Sequence, residues 1–184
     1  MGKYKLASIF FLLIFNSENL CAQYNYKHTK IYIIRHAEKD TGNNPVLTKA
    51  GRERAGDLLR YLQDKKINHI YTTDYRRNEM TADSLRIYRG IDTTHYAPKP
   101  TADALLNLLK KNNDIGKTVL FIAHSNTVPL LINNFGVKNF PLTDLPDNAY
   151  NDIFLIRFKK TRVILERKKY GQPSDHSLPD KKMN

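Results

Sequence analysis

The chain has 184 residues, a formal net charge of +12 and one cysteine. This length is enough for one domain with a sizeable hydrophobic core. A single cysteine excludes an internal disulfide framework, and the expected removal of Cys21 with the N-terminal segment excludes a cysteine-ligated metal site. The positive charge favours anionic partners, which include phosphorylated substrates, nucleic acids and acidic membrane surfaces.

The N-terminal segment has the layout of a secretory signal peptide. Lys3 and Lys5 form a basic start, residues 6–15 form an apolar run, and cleavage is expected near Ala22. The run is about half of the ~20 apolar residues that a membrane-spanning helix needs, so no stable membrane anchor is expected. Lipidation at Cys21 is the alternative. We predict an exported protein, periplasmic or secreted.

This N-terminal pattern divides the chain into three parts. Residues 1–22 are the predicted signal peptide and residues 23–172 the folded domain. Residues 173–184 have almost no apolar side chains and are predicted to form a flexible C-terminal tail. The folded domain therefore contains all of the sequence patterns that predict strands, helices and a site.

Strand and helix signals alternate along this domain. They predict strands at 31–35, 69–73 and 118–123, a brief extended piece at 96–98, and a closing pair of strands at 153–158 and 162–168. Helices are predicted to follow the N-cap candidates Thr48 and Thr101 and to cover 76–88 and 126–134. The alternation predicts an α/β fold, a three-layer αβα sandwich with a mostly parallel central sheet. The two most apolar strands, 31–35 and 118–123, are expected at its centre.

Both of these strands end in a histidine. Arg35 and His36 come at the end of the first strand, and His124 follows the other. Because neighbouring parallel strands end at the same edge of a sheet, the two imidazoles are expected to face one cleft. Arg77, in the first turn of the helix after the strand at 69–73, would add a second guanidinium there. Taken singly, His124 is more often a buried structural histidine and Arg77 a solvated helix residue.

Four motifs occur together and in order. Arg35-His36-Ala37-Glu38 is followed by Leu47-Thr48-Lys49-Ala50-Gly51, then by Arg77 four residues before Thr81-Ala82, and finally by His124 after an apolar strand. In this combination the chain resembles the histidine phosphatase superfamily, which includes the phosphoglycerate mutases. The resemblance implies a phosphoglycerate mutase-like fold. Glu38 has the alternative role of stabilising its loop through a salt bridge.

The resemblance also implies a mechanism. His36 attacks phosphorus to form a phosphohistidine, which water then hydrolyses. Arg35, Arg77 and His124 surround the phosphoryl oxygens, and the planar guanidinium fork suits such oxygens. We therefore predict a metal-independent phosphoric monoester hydrolase without a cofactor, acting on a small phosphorylated substrate or a phosphoprotein. The histidines show no HxH or HExxH spacing that would indicate a metal site.

The general acid is the point at which the sequence departs from the family pattern. Phosphoglycerate mutases carry a glutamate in an insertion that is absent from 90–101, and Ser125 stands where the acid phosphatase branch has an aspartate. This departure argues against mutase activity. Asp103 is a candidate donor, and the alternative is an ordinary aspartate in the first turn of a helix.

Two other functions compete with the phosphatase. The first is a non-catalytic phosphate- or polyanion-binding protein of the same fold, which the charge and the missing acid favour. The second is binding of nucleic acid or an acidic surface through the basic residues of 159–169. Lysines that protect an edge strand explain those charges more simply, so no specific nucleic-acid partner is expected.

Overall fold

The computed structural model describes residues 25–159 and 162–174. The predicted signal peptide at 1–22 and residues 175–184 of the predicted tail lie outside the described residues. No helix within the described ranges is long and apolar enough to cross a membrane.

Among the described residues, six strands and four helices make up an α/β domain. The strands are β1 (Lys30–Arg35), β2 (His69–Thr72), β3 (Thr93–His95), β4 (Thr118–Ala123), β5 (Asp152–Phe158) and β6 (Val163–Lys169), and the helices are α1 (Lys49–Leu62), α2 (Arg76–Arg89), α3 (Ala102–Lys111) and α4 (Thr127–Asn134). The strands of the described residues form one sheet in the order β3-β2-β4-β1-β5-β6. β3 lies directly before the extended piece predicted at 96–98. The predicted α/β architecture is confirmed.

The centre of the sheet is the predicted pair of apolar strands. β1 and β4 are adjacent and parallel, with Arg35 opposite Ala123. The pairs β4–β2 and β2–β3 are also parallel, whereas β5 is antiparallel to both β1 and β6. The sheet is therefore mixed. Because β1 and β4 run parallel, both strands end at the same edge of the sheet. The histidines that follow them therefore lie at that edge.

Helices cover both faces of this sheet, which gives the predicted three layers. Successive side chains of a strand point to opposite faces. One face packs on α3 and α4, and the other packs on α1 and α2. The buried side chains that establish this are Ile31, Ile33, Leu105 and Leu131 on the first face and Tyr32, Ile34, Leu58 and Leu85 on the second. A strand buried on both faces explains why β1 is continuously apolar.

The predicted helix caps are present. The Thr48 side chain accepts a hydrogen bond from the backbone N–H of Gly51, and the Thr101 side chain accepts one from Ala104. Each cap satisfies an N–H that the first turn of a helix leaves without a partner. The caps therefore fix where α1 and α3 begin.

The C-terminal hairpin is formed by β5 and β6, and β6 is an edge of the sheet. Lys168 and Lys169 are exposed on this edge, where charged side chains oppose pairing with another sheet. The chain continues to pack beyond the hairpin. Nη1 of Arg54 donates to the Gln172 carbonyl at 3.0 Å, and Ser174 is buried. The packed domain thus extends two residues past the boundary predicted at 172.

Candidate active site

The loop between β1 and α1 is held at several points by backbone groups. The N–H of His36 donates to the carbonyl of Ala123 at 2.9 Å, which extends the β1–β4 ladder by one residue. The N–H of Ala37 donates to Oγ1 of Thr81 at 3.0 Å. The carbonyl of Glu38 accepts from the N–H of Thr48 at 3.0 Å. The loop is therefore tied to β4, α2 and the start of α1.

Glu38 has the structural role that the sequence left open. Nε of Arg54 lies 2.8 Å from both carboxylate oxygens of Glu38, and Nη2 lies 2.6 Å from Oε1. Both side chains are buried, with exposed fractions of 5%. Multiple charge-assisted hydrogen bonds compensate the cost of burying the two charges. This ion pair fixes α1 against the loop.

The motif Leu47-Thr48-Lys49-Ala50-Gly51 allows the first turn of α1 to pack closely against the backbone of Glu38. A Cβ atom on Gly51 would lie 2.0 Å from the carbonyl oxygen of Glu38. No other residue can bring the first turn of α1 so near to this backbone. Leu47 is also fully buried in a small cluster with Ala37 and Ala55.

His36 is held as a neutral imidazole with one nitrogen free to act as a nucleophile. Its Nδ1 lies 2.8 Å from the carbonyl oxygen of Ala37. A carbonyl can only accept, so Nδ1 carries the proton and Nε2 keeps its lone pair. Burial lowers the pKa of His36 to about 3, against the hydrogen bond to Ala37, and the charges of Arg35 and Arg77 lower it further. An unprotonated Nε2 is what attack on phosphorus requires.

His124 lies beside His36, as predicted. The ring centroids are 5.5 Å apart. Nδ1 of His124 is 3.3 Å from Nη2 of Arg77, and Nε2 is 2.9 Å from Oγ1 of Thr73. Because arginine only donates, Nδ1 accepts and the ring proton is on Nε2. Burial lowers the pKa of His124 to about 4, and the charges of Arg77 and Arg35 act in the same direction.

Arg77 reaches the site from the first turn of α2. Nδ2 of Asn78, which is fully buried, donates to the carbonyl of Ile122 at 3.0 Å and so fixes this turn against the end of β4. Oγ1 of Thr81 donates to the carbonyl of Arg77 at 2.7 Å. The guanidinium carbon lies 4.4 Å from the centre of the Tyr75 ring. Tyr75 therefore forms an aromatic wall next to the guanidinium.

Arg35 has a second task that the sequence did not indicate. Its Nη1 donates to the carbonyls of Pro146 at 2.9 Å and Asp147 at 3.0 Å. Its guanidinium carbon lies 4.2 Å from the centre of the Tyr150 ring, within the range of a cation–π interaction. The residue is buried. Arg35 thus fixes the segment that precedes β5 as well as facing the histidines.

Arg35 and Arg77 each have one N–H group that is not hydrogen-bonded to any of the described residues. Nε of Arg35 and Nε of Arg77 are buried and have no hydrogen-bond partner among the described residues. A buried donor without an acceptor costs ~1–3 kcal/mol, and more when the group is charged. The oxygens of a phosphate group would accept these bonds. The two orphaned donors therefore favour an anion site between the arginines.

The four predicted residues line one pocket of about 420 Å³, together with two lysines and two aspartates. These side chains are Arg35, His36, Arg77 and His124, with Lys39, Lys99, Asp144 and Asp147. The pocket lies at the edge of the sheet where β1 and β4 end. The predicted meeting of groups from three distant segments is present in the fold.

Residues 31–97 match the family model of the histidine phosphatase superfamily, branch 1. This part of the chain is therefore similar to the histidine phosphatase superfamily. Arg35, His36 and Arg77 lie within the matched residues, whereas His124 and the pocket aspartates lie beyond them. No curated protein matches the sequence significantly.

Solved structures share the fold of this chain at low sequence identity. YhfR of Bacillus stearothermophilus has a TM-score of 0.60 and 18% identity, and the match covers 80% of this chain and 100% of that one. A putative phosphohistidine phosphatase, SixA, of Agrobacterium tumefaciens has a TM-score of 0.58, 17% identity and coverages of 78% and 99%. A mycobacterial glucosyl-3-phosphoglycerate phosphatase has a TM-score of 0.59, 13% identity and coverages of 77% and 99%. These likenesses establish the phosphoglycerate mutase-like fold.

Asp103 is not brought to this pocket. It lies exposed in the first turn of α3, outside the pocket lining. Its negative charge acts on Tyr26, where it adds to burial in raising the pKa of that phenol. The expectation that Asp103 donates a proton to the leaving group is therefore corrected. The residue follows the alternative, an acidic side chain that complements the helix dipole.

Two further histidines lie outside the pocket and have partners of their own. Nε2 of His69 is 2.8 Å from Oγ1 of Thr94, and Nε2 of His95 is 2.9 Å from Oε1 of Glu79. Ligand atoms of Asp74, Glu79 and His95 all lie within 4.8 Å of one another. His95 and Glu79 already bond to each other, and proximity alone does not make this exposed group a metal site. The metal independence of the phosphate pocket stays a prediction.

Sequence analysis missed the segment that carries Asp144 and Asp147. Between α4 and β5 the chain has no helical or strand period that would predict its path. Asp and Pro at these positions indicate turns but not where the turns lie. The basic side chains of Lys39 and Lys99 also gave no signal beyond the overall charge. Only the closed fold places these groups around the histidines.

Proposed function

We propose that this domain hydrolyses phosphate monoesters through a phosphohistidine on His36. The observation that carries the proposal is the hydrogen bond from Nδ1 of His36 to the Ala37 carbonyl. It leaves Nε2 unprotonated in a pocket where two buried guanidinium N–H donors have no partner. A nucleophile and an anion site therefore occur together.

The first step transfers the phosphoryl group to the protein. The lone pair of Nε2 forms a bond to phosphorus as the bond to the leaving oxygen breaks. Arg35 and Arg77 donate to the phosphoryl oxygens, where negative charge is concentrated. His124 lies beside Arg77, and its Nδ1 accepts a hydrogen bond from Nη2 of that guanidinium, which helps to orient it at the site. Preorganised donors of this kind are each worth ~3 kcal/mol of barrier.

The second step is hydrolysis of the phosphohistidine. Water attacks phosphorus, the P–N bond breaks, and the electron pair returns to Nε2. Inorganic phosphate leaves and His36 is restored to its original tautomer by the Ala37 carbonyl. Splitting one difficult displacement into two easier ones is the advantage of a covalent intermediate.

Two of the proteins that share the fold agree with this reaction class. The Agrobacterium structure is described as a putative phosphohistidine phosphatase, and the mycobacterial one as a glucosyl-3-phosphoglycerate phosphatase. We propose a small phosphorylated compound or a phosphoprotein as the substrate of this chain. The N-terminal pattern supports a location outside the cytoplasm, which fractionation of cells producing the full-length chain would test.

Trapping the intermediate tests the proposal directly. The wild-type protein is mixed with labelled p-nitrophenyl phosphate and quenched into alkaline denaturant, because a phosphoramidate is lost in acid. Label should appear on the protein and be absent from His36→Ala. His95→Gln changes an exposed histidine outside the pocket and should label normally. Turnover should persist in the presence of a chelator.

The competing function makes a different prediction in the same experiment. A non-catalytic phosphate binder would retain inorganic phosphate yet form no labelled protein and release no p-nitrophenol. Substitution of Arg35 or Arg77 by alanine should reduce kcat/KM by at least ~10²-fold if the phosphatase is correct. Equal rates for the wild type and His36→Ala would remove the proposed nucleophile.

A further inference from the structure

We infer that the segment 144–147 supplies the proton donor for the leaving group, through the carboxyl group of Asp144 or Asp147. This inference rests on the proposed function. An alkoxide is a poor leaving group, so departure of an alcohol from phosphorus requires a proton. A general acid must therefore face the pocket.

The choice of segment follows from where the other carboxyl groups lie. Asp144 and Asp147 line the pocket with both histidines. Glu38 is buried in its ion pair with Arg54 and lies outside the lining. Asp103, which lies on α3, also lies outside the lining. Among the described residues, the acidic side chains of the pocket come from this segment alone.

The backbone of the segment is fixed while its two carboxyl groups stay exposed. The N–H of Leu145 donates to the carbonyl of Ser125 at 3.1 Å, directly after His124. Nη1 of Arg35 holds the carbonyl of Asp147 at 3.0 Å, and Leu145 packs in the core. A proton donor must be held in place near the reacting atoms, and these anchors fix the backbone of the segment at the pocket. Arg35 is thus a positioning residue for the donor as well as a phosphate ligand.

The proton balance of the two steps is complete. As Nε2 of His36 bonds to phosphorus, the carboxylic acid gives its proton to the leaving oxygen, which departs as a neutral alcohol. The resulting carboxylate then takes a proton from the water that attacks the phosphohistidine. The acid is regenerated after each turnover.

The test compares two substrates that differ in how much they need the proton. p-Nitrophenolate leaves readily without one, whereas the alkoxide of β-glycerol phosphate does not. Asp144→Asn and Asp147→Asn keep the size of the side chain. One of them should lose ~10²-fold or more in kcat on the alkyl ester and much less on p-nitrophenyl phosphate. Asp103→Asn is the matched control and should change neither rate.

Each outcome decides the inference. A substrate-dependent loss in one variant identifies the donor. A loss of equal size on both substrates indicates that the segment only supports the fold, and no loss in either variant or in the double variant overturns the inference as well. Failure of the proposed function is recognised separately, because the wild type would then form no labelled protein even with p-nitrophenyl phosphate. In that case the inference falls with it.

Discussion

The backbone N–H of Ala37 donates to Oγ1 of Thr81, and the same hydroxyl donates to the carbonyl of Arg77. One buried side chain thus connects the residue after His36 to the turn that carries Arg77. The two elements that carry His36 and Arg77 cannot shift independently of each other while this link is present.

Thr81→Val is expected to break that link without changing the shape of the side chain. The buried N–H of Ala37 would lose its acceptor, which costs ~1–3 kcal/mol of unfolding free energy. Urea unfolding measures this loss, and kcat/KM on p-nitrophenyl phosphate should fall with it. Thr81→Ser keeps the oxygen and serves as the control. A valine variant as stable as the serine variant would contradict the prediction.

Gly51→Ala should be strongly destabilising, because its Cβ would lie 2.0 Å from the Glu38 carbonyl oxygen. Either α1 or the loop after β1 has to move. Gly56→Ala on the same helix is the matched control, since its Cβ would meet only the flexible end of Arg60, at 3.4 Å. In Gly56→Ala the gain in helix propensity should raise the free energy of unfolding by ~0.5–1 kcal/mol. Thermal unfolding of the two variants should therefore shift in opposite directions.

Glu38→Ala is expected to cost ~3–5 kcal/mol, because it leaves the guanidinium of Arg54 buried without its counter-ion. Removing both charges in Glu38→Leu/Arg54→Met should recover much of the loss. A double-mutant cycle on the unfolding free energy measures the coupling between the two residues. Independent, additive effects would show that the ion pair does not hold the loop against α1.

Stability should fall as the solution is acidified from about pH 6.5 toward pH 4. Burial lowers the pKa of His36 to about 3 and that of His124 to about 4, so both stay neutral in the folded protein over this range. In the unfolded chain both histidines take up protons below about pH 6.5. The unfolded state then binds more protons, and each histidine contributes a slope of up to ~1.4 kcal/mol per pH unit.

Urea unfolding at several pH values measures that slope. His36→Gln and His124→Gln should each reduce it, because glutamine does not titrate. The same low pKa values predict that kcat/KM shows no loss of nucleophile near pH 6.5. An acid limb of the rate profile centred at pH 6.5 would mean that His36 is protonated far more readily than its burial implies.

The positions of the two histidines could be predicted because the sequence patterns of the two strands that precede them are strong and local. Continuous apolar runs placed β1 and β4 at the centre of the sheet, and parallel strands share an edge. The sequence signals for the N-caps Thr48 and Thr101 were equally local. The alternative roles offered for Glu38 and Asp103, a salt bridge and a first-turn aspartate, proved correct because both follow from short-range geometry.

The part of the pocket wall that Asp144 and Asp147 form could not be predicted in this way. Asp144 and Asp147 reach it on an irregular segment, and the contact from Arg35 to Asp147 spans 112 positions of sequence. No periodic pattern encodes such a contact. Tyr150, which stacks on the same guanidinium, lies on that segment too. Loops of this kind take their path from tertiary packing, which a single sequence does not display.

The order of strands in the sheet also has a consequence for how the chain folds during synthesis. β1 is made before any other described strand, yet its neighbours β4 and β5 both come much later in the chain. Bringing such distant segments together is slow, and an unpaired apolar strand is prone to aggregate during synthesis. Limited proteolysis of ribosome-bound chains of increasing length would measure when β1 becomes protected. Residues 30–35 should become protected only after β5 has left the exit tunnel.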